Sequence, residues 1–349
     1  MAKTMQAVIK TKPEPFSMEL ATVPVPEITP EQVLVQVKLC GICGTDHALY
    51  HWSEAIASAY KLVFPCIFGH EFSGVIAEVG SAVTEGLSIG DRCTVNPIMF
   101  RSNDEYTAEG NVHICNDRPF LGTDWPGAFA QYVAVRAPSV VKISDNVSFK
   151  SGALIEPFSV AIHAVERVLP RFGDTCVVLG GGAIGLLVVK VLKWMGIKRI
   201  IVTGLSIDKA RLAMAGAMGC TTIDVDEEDQ IARVLELTGG KGAEVLFDTA
   251  GHSSTVATAV KMAAKRGRIG VSGLPRGLTE LSMTEISLRE ISIIGNRAYT
   301  VMNYLQAARL LDQGLDIDDI GTHVLPLRDF DKAMQLLDQK QGLRILLEP

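Results

Sequence analysis

The chain lacks any long apolar run. No stretch approaches the roughly 20 consecutive apolar residues that a membrane-spanning helix needs, although hydrophobic residues make up 48% of the 349 residues. The first residues, Met1 to Gln6, lead directly into an alternating, strand-like run rather than into a signal-like apolar segment. These absences predict a protein that does not associate with membranes and that resides in the cytoplasm.

A basic stripe and a disulfide framework are also missing. The net charge is -6, with lysine and arginine scattered and no aromatic residues interleaved among them, which argues against a nucleic-acid partner. Seven cysteines, an odd number in a long chain, do not suggest paired disulfides. A reducing compartment would keep Cys43 available as a thiolate. Internal repeats and low-complexity tracts are absent as well.

What is present divides into two parts. A chain of 349 residues is too long for one ordinary core and favours about two domains. The first part is rich in β-branched runs, such as Val33 to Leu39, separated by Pro and Gly turns. From Cys176 onward strands alternate with helices, with a strand expected at Arg268 to Ser272. This alternation predicts an α/β domain with a doubly wound parallel sheet. We predict domains at 1–157 and 158–296, with 297–349 returning to the first domain.

Three short segments together offer metal ligands. They supply one thiol, one imidazole and several carboxylates without the compact spacing of a zinc finger. A structural zinc is usually caged by four Cys or His ligands, whereas a catalytic zinc keeps mixed ligands and an exchangeable position. The segments therefore predict an open metal site; they are Cys43-Gly44-Thr45-Asp46, Gly69-His70-Glu71-Phe72 and Leu154-Ile155-Glu156-Pro157.

The segment from Val177 to Gly185 is typical of a strand, a dinucleotide-binding turn and the start of a helix. Gly180 permits the sharp turn, and Gly182 lets the backbone approach a pyrophosphate. Gly185 lets the helix pack closely on its strand, while the helix N-terminus supplies amides and a partial positive charge. The sequence therefore predicts a nicotinamide dinucleotide as cofactor.

The residues that would distinguish NAD from NADP follow the next strand. The position that normally contacts the adenosine ribose is Gly204 rather than an acid. Asp208 could serve the 2′-hydroxyl of NAD, or the 2′-phosphate of NADP could be held by a polar and basic set. Both cofactors stay open at this point; the set is Ser206, Lys209 and Arg211.

Six motifs occur in the order of a known family. Each is common alone, but the ordered set makes the chain resemble, over essentially its full length, the zinc-dependent medium-chain dehydrogenases, in particular the polyol (sorbitol) and threonine dehydrogenases. The resemblance implies a GroES-like catalytic domain of irregular β structure, a Rossmann domain, zinc in the cleft between them, and a homo-oligomer, either dimer or tetramer. The motifs are Gly41-Ile42-Cys43-Gly44-Thr45-Asp46, Gly69-His70-Glu71-Phe72-Ser73-Gly74, Gly90-Asp91-Arg92-Cys93-Thr94-Val95, Gly127-Ala128-Phe129-Ala130-Gln131-Tyr132, Ile155-Glu156-Pro157 and the glycine turn.

The resemblance implies a set of zinc ligands. Cys43 and His70 match ligand positions of the family, and Glu71 matches a carboxylate that binds zinc in the polyol branch. Glu156 stands where alcohol dehydrogenases have a second Cys, although Pro157 after it also suggests a carboxylate in the first turn of a helix. Consecutive side chains on a strand point to opposite faces, so His70 and Glu71 share one ion only if the backbone bends there. Glu71, Glu156 or water therefore remain alternatives for the last position.

Further roles follow from the same motif. Thr45 would take the substrate hydroxyl proton, and Asp46 would fix the tautomer of His70. The family often continues the proton relay to a histidine five residues after the zinc cysteine, but this position is Ala48. His47 is our choice as its substitute; His51 is the alternative, and both could be ordinary loop residues.

The remaining assignments also come from the resemblance. It adds Ala183, Ile184 and Gly273 to the cofactor site, and it places Phe120, Glu156 and Arg297 near the substrate. Many relatives carry a lobe in which four cysteines hold a structural zinc. Only one thiol remains at the matching positions, which predicts one catalytic zinc and no structural zinc; these positions are Arg101, Asp104, Thr107 and Cys115.

The resemblance implies reversible hydride transfer to NAD(P) from the secondary hydroxyl of a sugar alcohol or related polyhydroxy compound, with zinc making that hydroxyl more acidic. The reverse substrate would be a ketone. An amino-alcohol (threonine-type) dehydrogenase is the alternative within the family. A zinc-free quinone reductase would lack the set of Cys43, His70 and Glu71, and a non-catalytic NAD(P)-binding protein would show no turnover.

Overall fold

The computed structural model describes residues 3–99, 103–274 and 277–349. The chain divides into two compact units. The first unit comprises Met1–Glu156 and Thr300–Pro349, and the second comprises Pro157–Tyr299. The second unit is therefore inserted, in chain order, into the first.

The strands are β1 (Thr4–Lys10), β2 (Met18–Pro24), β3 (Gln32–Gly41), β4 (Cys66–Ile67), β5 (Glu71–Val79), β6 (Arg92–Val95), β7 (Tyr132–Arg136), β8 (Val140–Lys142), β9 (Thr175–Leu179), β10 (Arg199–Gly204), β11 (Thr221–Asp224), β12 (Ala243–Asp248), β13 (Ala263–Val271), β14 (Ser292–Gly295), β15 (Gly321–Pro326) and β16 (Arg344–Glu348).

The α-helices are α1 (Gly44–Tyr50), α2 (Glu54–Ala57), α3 (Glu105–Ala108), α4 (Phe149–Ala153), α5 (Ile155–Val168), α6 (Ala183–Trp194), α7 (Lys209–Ala217), α8 (Gln230–Leu237), α9 (Thr255–Met262), α10 (Met283–Leu288), α11 (Val301–Asp312) and α12 (Phe330–Asp338). Short 3-10 helices lie at Val112–Ile114, Ala137–Ser139, Ser206–Asp208, Asp318–Ile320 and Leu327–Asp329.

The first unit is built on a mixed sheet with the strand order β15-β16-β3-β5-β6-β8, and β7 also pairs with β3. A smaller sheet has the order β2-β1-β4. Strand β16 pairs antiparallel with β3 through Leu346 and Leu347, so the C-terminal segment completes this sheet. Its side chains Ile345 and Leu347 share one buried core with Val35 and Phe72. The first unit thus holds together segments that are far apart in the chain.

The second unit contains a parallel sheet with the order β11-β10-β9-β12-β13-β14. Strand β9 is buried along its whole length, as expected for a central parallel strand covered on both faces. The strand order reverses between β9 and β12, and the carboxyl ends of the strands at such a point are the usual place for a dinucleotide. The predicted α/β class, with a parallel sheet in one unit and irregular β structure in the other, is confirmed.

Some element boundaries differ from the sequence prediction. Strand β13 begins at Ala263, before the predicted Arg268, and its pairing with β12 shifts register in between. Arg266, within this stretch, has φ +62, a conformation that β-strand patterns in a sequence do not reveal. Among the described residues, no helix combines the length and the apolar character that crossing a membrane requires.

Candidate active site

Cys43 stands at the start of α1, where Asp46 holds the backbone in place. The Cys43 N–H donates to Asp46 Oδ2 at 2.9 Å, the reciprocal bond of a capping box. Asp46 is fully buried, and its Oδ1 lies 3.6 Å from His70 Nδ1. One aspartate therefore holds the cysteine backbone by a hydrogen bond and places a carboxylate oxygen beside the histidine ring.

The backbone bends immediately before His70. Gly69 has φ +93, and a Cβ there would lie 2.5 Å from Phe129 Cδ1, so only glycine fits. His70 precedes β5, and Glu71 is its first residue. Because His70 lies outside the strand, the alternation that would send the two side chains to opposite faces does not apply.

Cys43, His70 and Glu71 form a compact donor set. Their ligand atoms all lie within 4.8 Å of one another. His70 is 2% exposed and Glu71 is 0% exposed, while Cys43 is partly accessible. Both carboxylate oxygens of Glu71 and Nδ1 of His70 are buried without a hydrogen-bond partner. Thiolate, imidazole and carboxylate are ligands that suit zinc, and unsatisfied buried oxygens fit a cation, so the residues fit the metal that the sequence predicted.

Arg344, at the start of β16, faces Glu71. Its Nε lies 3.2 Å from Glu71 Oε2, and its Nη1 donates to the Ile42 carbonyl at 3.0 Å. Burial alone would lower the pKa of Arg344, but the negative charges around it, Glu71 first among them, raise it. A Cβ on Gly41 would lie 2.6 Å from Glu71 Oε2, so glycine leaves the room that this carboxylate needs. Arg344 was not among the predicted site residues, because its partner Glu71 is distant in the chain.

Neighbouring charges also shift the pKa values of His70, a member of the donor set, and of Asp46, which lies beside it. Burial would lower the pKa of His70, but Asp46 and Cys43 raise it well above its usual range. Burial raises the pKa of Asp46, and the neighbouring His70 opposes this shift. Bound cations replace protons at such sites, because ligands must be deprotonated to bind a metal.

Thr45 and Tyr60 lie next to the donor set. Thr45 is in the first turn of α1, and its side chain lies close to Tyr60. Burial raises the pKa of Tyr60, whereas the charge of His70 lowers it, so the two rings are close. The sequence prediction did not include Tyr60, because the segment that bears it has no recognisable motif.

Of the predicted substrate residues, two lie near His70. The ring of Phe120 lies 4.8 Å from the imidazole of His70 and 6.2 Å from the ring of Tyr60. Glu156 is buried in the first turn of α5, and its charge raises the pKa of His70. Glu156 is not part of the donor set within 4.8 Å. Arg297 is exposed after β14 in the second unit.

The two histidines considered as proton relays share one carboxylate. His47 Nε2 and His51 Nε2 lie 2.7 and 2.8 Å from the same oxygen, Oδ1 of Asp338. Their side chains are 31% and 36% exposed, so this cluster is at the surface of the first unit.

The lobe that holds a structural zinc in many relatives is organised here by hydrogen bonds. Asp104 Oδ1 accepts from the backbone N–H and the hydroxyl of Thr107, both at 2.9 Å. Its Oδ2 accepts from the Asn116 N–H at 2.8 Å, and Cys115 is buried. Arg101 lies outside the described residues.

The glycine turn of the second unit joins β9 to α6, which begins with Ala183 and Ile184. Gly180 has φ +105, and a Cβ on Gly185 would lie 2.0 Å from the Gly180 carbonyl oxygen. Nothing lies within 4 Å of a Cβ built on Gly182. The three glycines therefore have the three geometries expected of a dinucleotide turn: a left-handed residue, an open approach and a close helix contact. Gly273 follows β13 and packs against Gly251. A Cβ added to Gly273 would lie 2.3 Å from the backbone N of Gly251.

Carboxylates surround the residues beyond β10. Ser206 Oγ donates to Asp224 Oδ2 at 2.8 Å, and the Ser206 N–H donates to Asp226 Oδ2 at 2.8 Å. Arg211 Nη1 lies 2.8 Å from Asp208 Oδ1, and Lys209 is exposed. Ser206 and Arg211, two of the candidates for a 2′-phosphate, are therefore already bonded to acids.

Comparison with known proteins places these features in a family. Residues 29–145 match the model of the alcohol dehydrogenase GroES-like domain, and residues 183–313 match that of the zinc-binding dehydrogenase. The chain is 33% identical to an L-threonine 3-dehydrogenase of Bacillus velezensis over 100% of both chains. It is 34% identical to a sorbitol dehydrogenase of Bacillus subtilis, over 95% of this chain and 94% of that protein.

Two solved structures, each 27% identical, share the fold over 99% of this chain. One is an alcohol dehydrogenase of Escherichia coli with NADH (99% of that chain, TM-score 0.88), and the other is a zinc-binding dehydrogenase of Sinorhizobium meliloti bound to NADP (100%, TM-score 0.90). The chain belongs to the zinc-dependent medium-chain dehydrogenases. It is an oxidoreductase that acts on CH–OH groups, as the sequence predicted.

Proposed function

We propose that the protein reversibly oxidises a secondary hydroxyl of a small polyhydroxy alcohol, using one catalytic zinc held by Cys43, His70 and Glu71. The observation that supports this most directly is the buried donor set, with its ligand atoms within 4.8 Å of one another and no hydrogen bond to either oxygen of Glu71. A carboxylate in place of a second thiolate makes a bound zinc more Lewis acidic. The sorbitol dehydrogenase relative supports a sugar alcohol as substrate.

When bound, zinc would make the substrate hydroxyl more acidic and the nicotinamide would accept the hydride. The protein's own residues supply the surroundings. Asp46 orients His70, and Arg344 offsets the charge of Glu71. The ring of Phe120 packs against the imidazole of His70.

The proton of the substrate hydroxyl needs an acceptor. We assign the first transfer to the Thr45 hydroxyl, which lies close to Tyr60. Glu156 would accept a hydrogen bond from a hydroxyl of the substrate, as a buried carboxylate close to His70.

Thiol labelling tests the zinc site without relying on turnover. In zinc-stripped protein, we expect iodoacetamide to modify Cys43, and added zinc should protect it, because a metal-bound thiolate is shielded. Cys66, Cys93 and Cys176 serve as internal controls, since burial raises the pKa of each to about 12. Equal labelling of Cys43 with and without zinc would contradict the proposed ligand.

Two matched substitutions test which of the two carboxylates, Glu71 or Glu156, binds zinc. Glu71→Gln should reduce the bound zinc measured by elemental analysis, because it removes an anionic ligand. Glu156→Gln should retain one zinc per chain while kcat falls, because Glu156 is outside the donor set. The reverse pattern would assign the ligand role to Glu156.

A threonine-type amino alcohol is the second candidate substrate. The Arg118 guanidinium lies 5.7 Å from the centre of the Phe120 ring and lowers the pKa of Tyr60 against the effect of burial. A fixed positive charge there favours a substrate with a carboxylate. Rates with sugar alcohols, their ketones and threonine would decide between the two, and only the threonine rate should depend on Arg118→Ala.

We further propose NAD as the preferred cofactor. Ser206 is bonded to Asp224 and Asp226, and Arg211 is paired with Asp208, so a 2′-phosphate would meet negative charge. Asp208→Ala should raise kcat/KM for NADP relative to NAD by about tenfold, equivalent to about 1.4 kcal/mol, because it removes a carboxylate that would repel the 2′-phosphate. The exposed Glu227→Gln is the control. Higher kcat/KM with NADP in the unaltered protein would contradict the proposal.

A further inference from the structure

A second group of metal-ligating side chains lies apart from the catalytic donor set. His47 is in α1, His51 caps its C-terminus, and Asp338 ends α12. Both Nε2 atoms approach the same oxygen of Asp338, at 2.7 and 2.8 Å, and the three ligand atoms lie within 4.8 Å of one another. Histidines at positions i and i+4 project from the same face of a helix, which is a common ligand spacing for zinc.

The imidazole of His51 is held in its orientation by aromatic neighbours. The rings of Phe16 and Tyr50 meet it edge-on, with centroids 5.2 and 5.3 Å away. Phe16 has φ +57, unusual for a bulky residue, and its N–H donates to the Tyr50 carbonyl at 2.9 Å. The ring of His47 lies 4.7 Å from that of His51. The two Nε2 atoms are therefore positioned by the surrounding structure as well as by Asp338.

We propose that His47, His51 and Asp338 bind a divalent transition metal, with zinc as the ion that their chemistry suits best. Two imidazoles and one carboxylate are the ligands of zinc sites in which three protein side chains bind the ion and water takes the fourth position. Zinc bonds of 2.0–2.2 Å would place tetrahedral ligands about 3.4 Å apart. The 2.7 and 2.8 Å distances from the Nε2 atoms to Asp338 would therefore lengthen by about 0.6–0.7 Å. The side chains are 31%, 36% and 42% exposed, which gives an ion access from solvent.

This site shares α1 with the catalytic donors but none of their ligand atoms. Cys43 precedes α1 and His51 follows it, so the two ends are about 12 Å apart at 1.5 Å per residue. Metal at the second site would join the end of α1 to the end of α12, both in the first unit. It would stabilise the folded state, because it binds that state and not the unfolded one.

Zinc titration of the holoenzyme tests this inference independently of turnover. Protein already containing one zinc per chain would be titrated with Zn²⁺ by calorimetry, and its melting temperature would be followed. We expect one further zinc per chain and a higher melting temperature. Asp338→Asn and His51→Ala should weaken this second binding at least tenfold. Asp331→Asn, on the same helix and outside the cluster, should leave it unchanged.

Cobalt distinguishes the two sites by their spectra. Co²⁺ added to the zinc-loaded protein should give a spectrum without thiolate-to-cobalt charge transfer, because the second site has no sulfur ligand. Absence of a second zinc in the folded holoenzyme would overturn the inference and leave only hydrogen bonds to Asp338. Second binding that persists in both Asp338→Asn and His51→Ala, or a thiolate band with cobalt, would also overturn it.

Discussion

At the scale of single residues, the buried ion pair of Glu71 and Arg344 should contribute to the free energy of unfolding. Glu71 is fully buried, and Arg344 is 3.2 Å from it. Removing one partner of a buried ion pair costs about 3–5 kcal/mol. We expect Arg344→Met to lower the free energy of urea unfolding by this amount in zinc-free protein and by less in zinc-loaded protein, because the ion would offset the charge of Glu71.

The control for this prediction is Arg328→Met. Arg328 is 76% exposed and lies 4.0 Å from Asp329, so its loss should cost less than about 1 kcal/mol. If Arg344→Met destabilises the protein equally with and without zinc, Glu71 does not contact the ion.

Lys10 gives a pH-dependent prediction. Its Nζ donates to the Glu14 carbonyl at 2.7 Å and to Ser17 Oγ at 2.9 Å, and burial lowers its pKa from 10.5 to about 8. Between these values the unfolded chain binds more protons than the folded one, so this lysine makes the free energy of unfolding rise with pH. The stability of the unaltered protein relative to Lys10→Met, from urea unfolding, should therefore increase between pH 8 and pH 10. If the stability difference between the unaltered protein and Lys10→Met is the same at pH 8 and pH 10, the prediction is wrong. The control is Lys12→Met, because the Lys12 side chain is 59% exposed.

Sequence reasoning at this scale found residues within motifs and missed their distant partners. Cys43, His70 and Glu71 stand in short recognisable segments, and the structure brings them together. Arg344 and Tyr60 have no motif, because their positions depend on sheet pairing and on a loop. The choice of Glu71 over Glu156 for the compact donor set depended on the bend at Gly69, which a period-two strand pattern cannot show.

At the scale of elements, the turn from β9 to α6 allows a paired test. A Cβ on Gly185 would meet the Gly180 carbonyl at 2.0 Å, whereas a Cβ on Gly182 meets nothing within 4 Å. We expect Gly185→Ala to lower the melting temperature by several degrees, as about 1–3 kcal/mol of overpacking would do. Gly182→Ala should keep the melting temperature and weaken NADH binding, measured by fluorescence titration, because the methyl group would occupy the pyrophosphate approach.

Unchanged NADH affinity in Gly182→Ala would show that the pyrophosphate does not approach this glycine.

The alternation of buried strands and helices was sufficient to predict the parallel sheet, since both faces of β9 are covered. The start of β13 was predicted too late, because the irregular stretch around Arg266 interrupts the strand pattern.

At the scale of the whole molecule, the edge strand β14 is our candidate for subunit contact. It ends the sheet of the second unit, and Ile293 on it is 38% exposed. Unpaired edge strands with apolar side chains tend to pair with another chain. We predict a homo-oligomer that Ile293→Lys dissociates, measured by light scattering after size exclusion. Leu20→Lys, on the edge strand β2 and 44% exposed, should leave it intact. A monomeric unaltered protein, or dissociation by both changes, would contradict the assignment.

The insertion of the second unit between the two segments of the first has a consequence for folding order. All strands of the second unit lie in one uninterrupted stretch, so its loops close locally. The sheet of the first unit is complete only when β16 pairs with β3, which is roughly 300 residues earlier in the chain. During synthesis, the nucleotide-binding unit can therefore fold first, while Glu71 stays without its arginine and Cys43 without its finished surroundings. The metal would be acquired late, after the chain has returned.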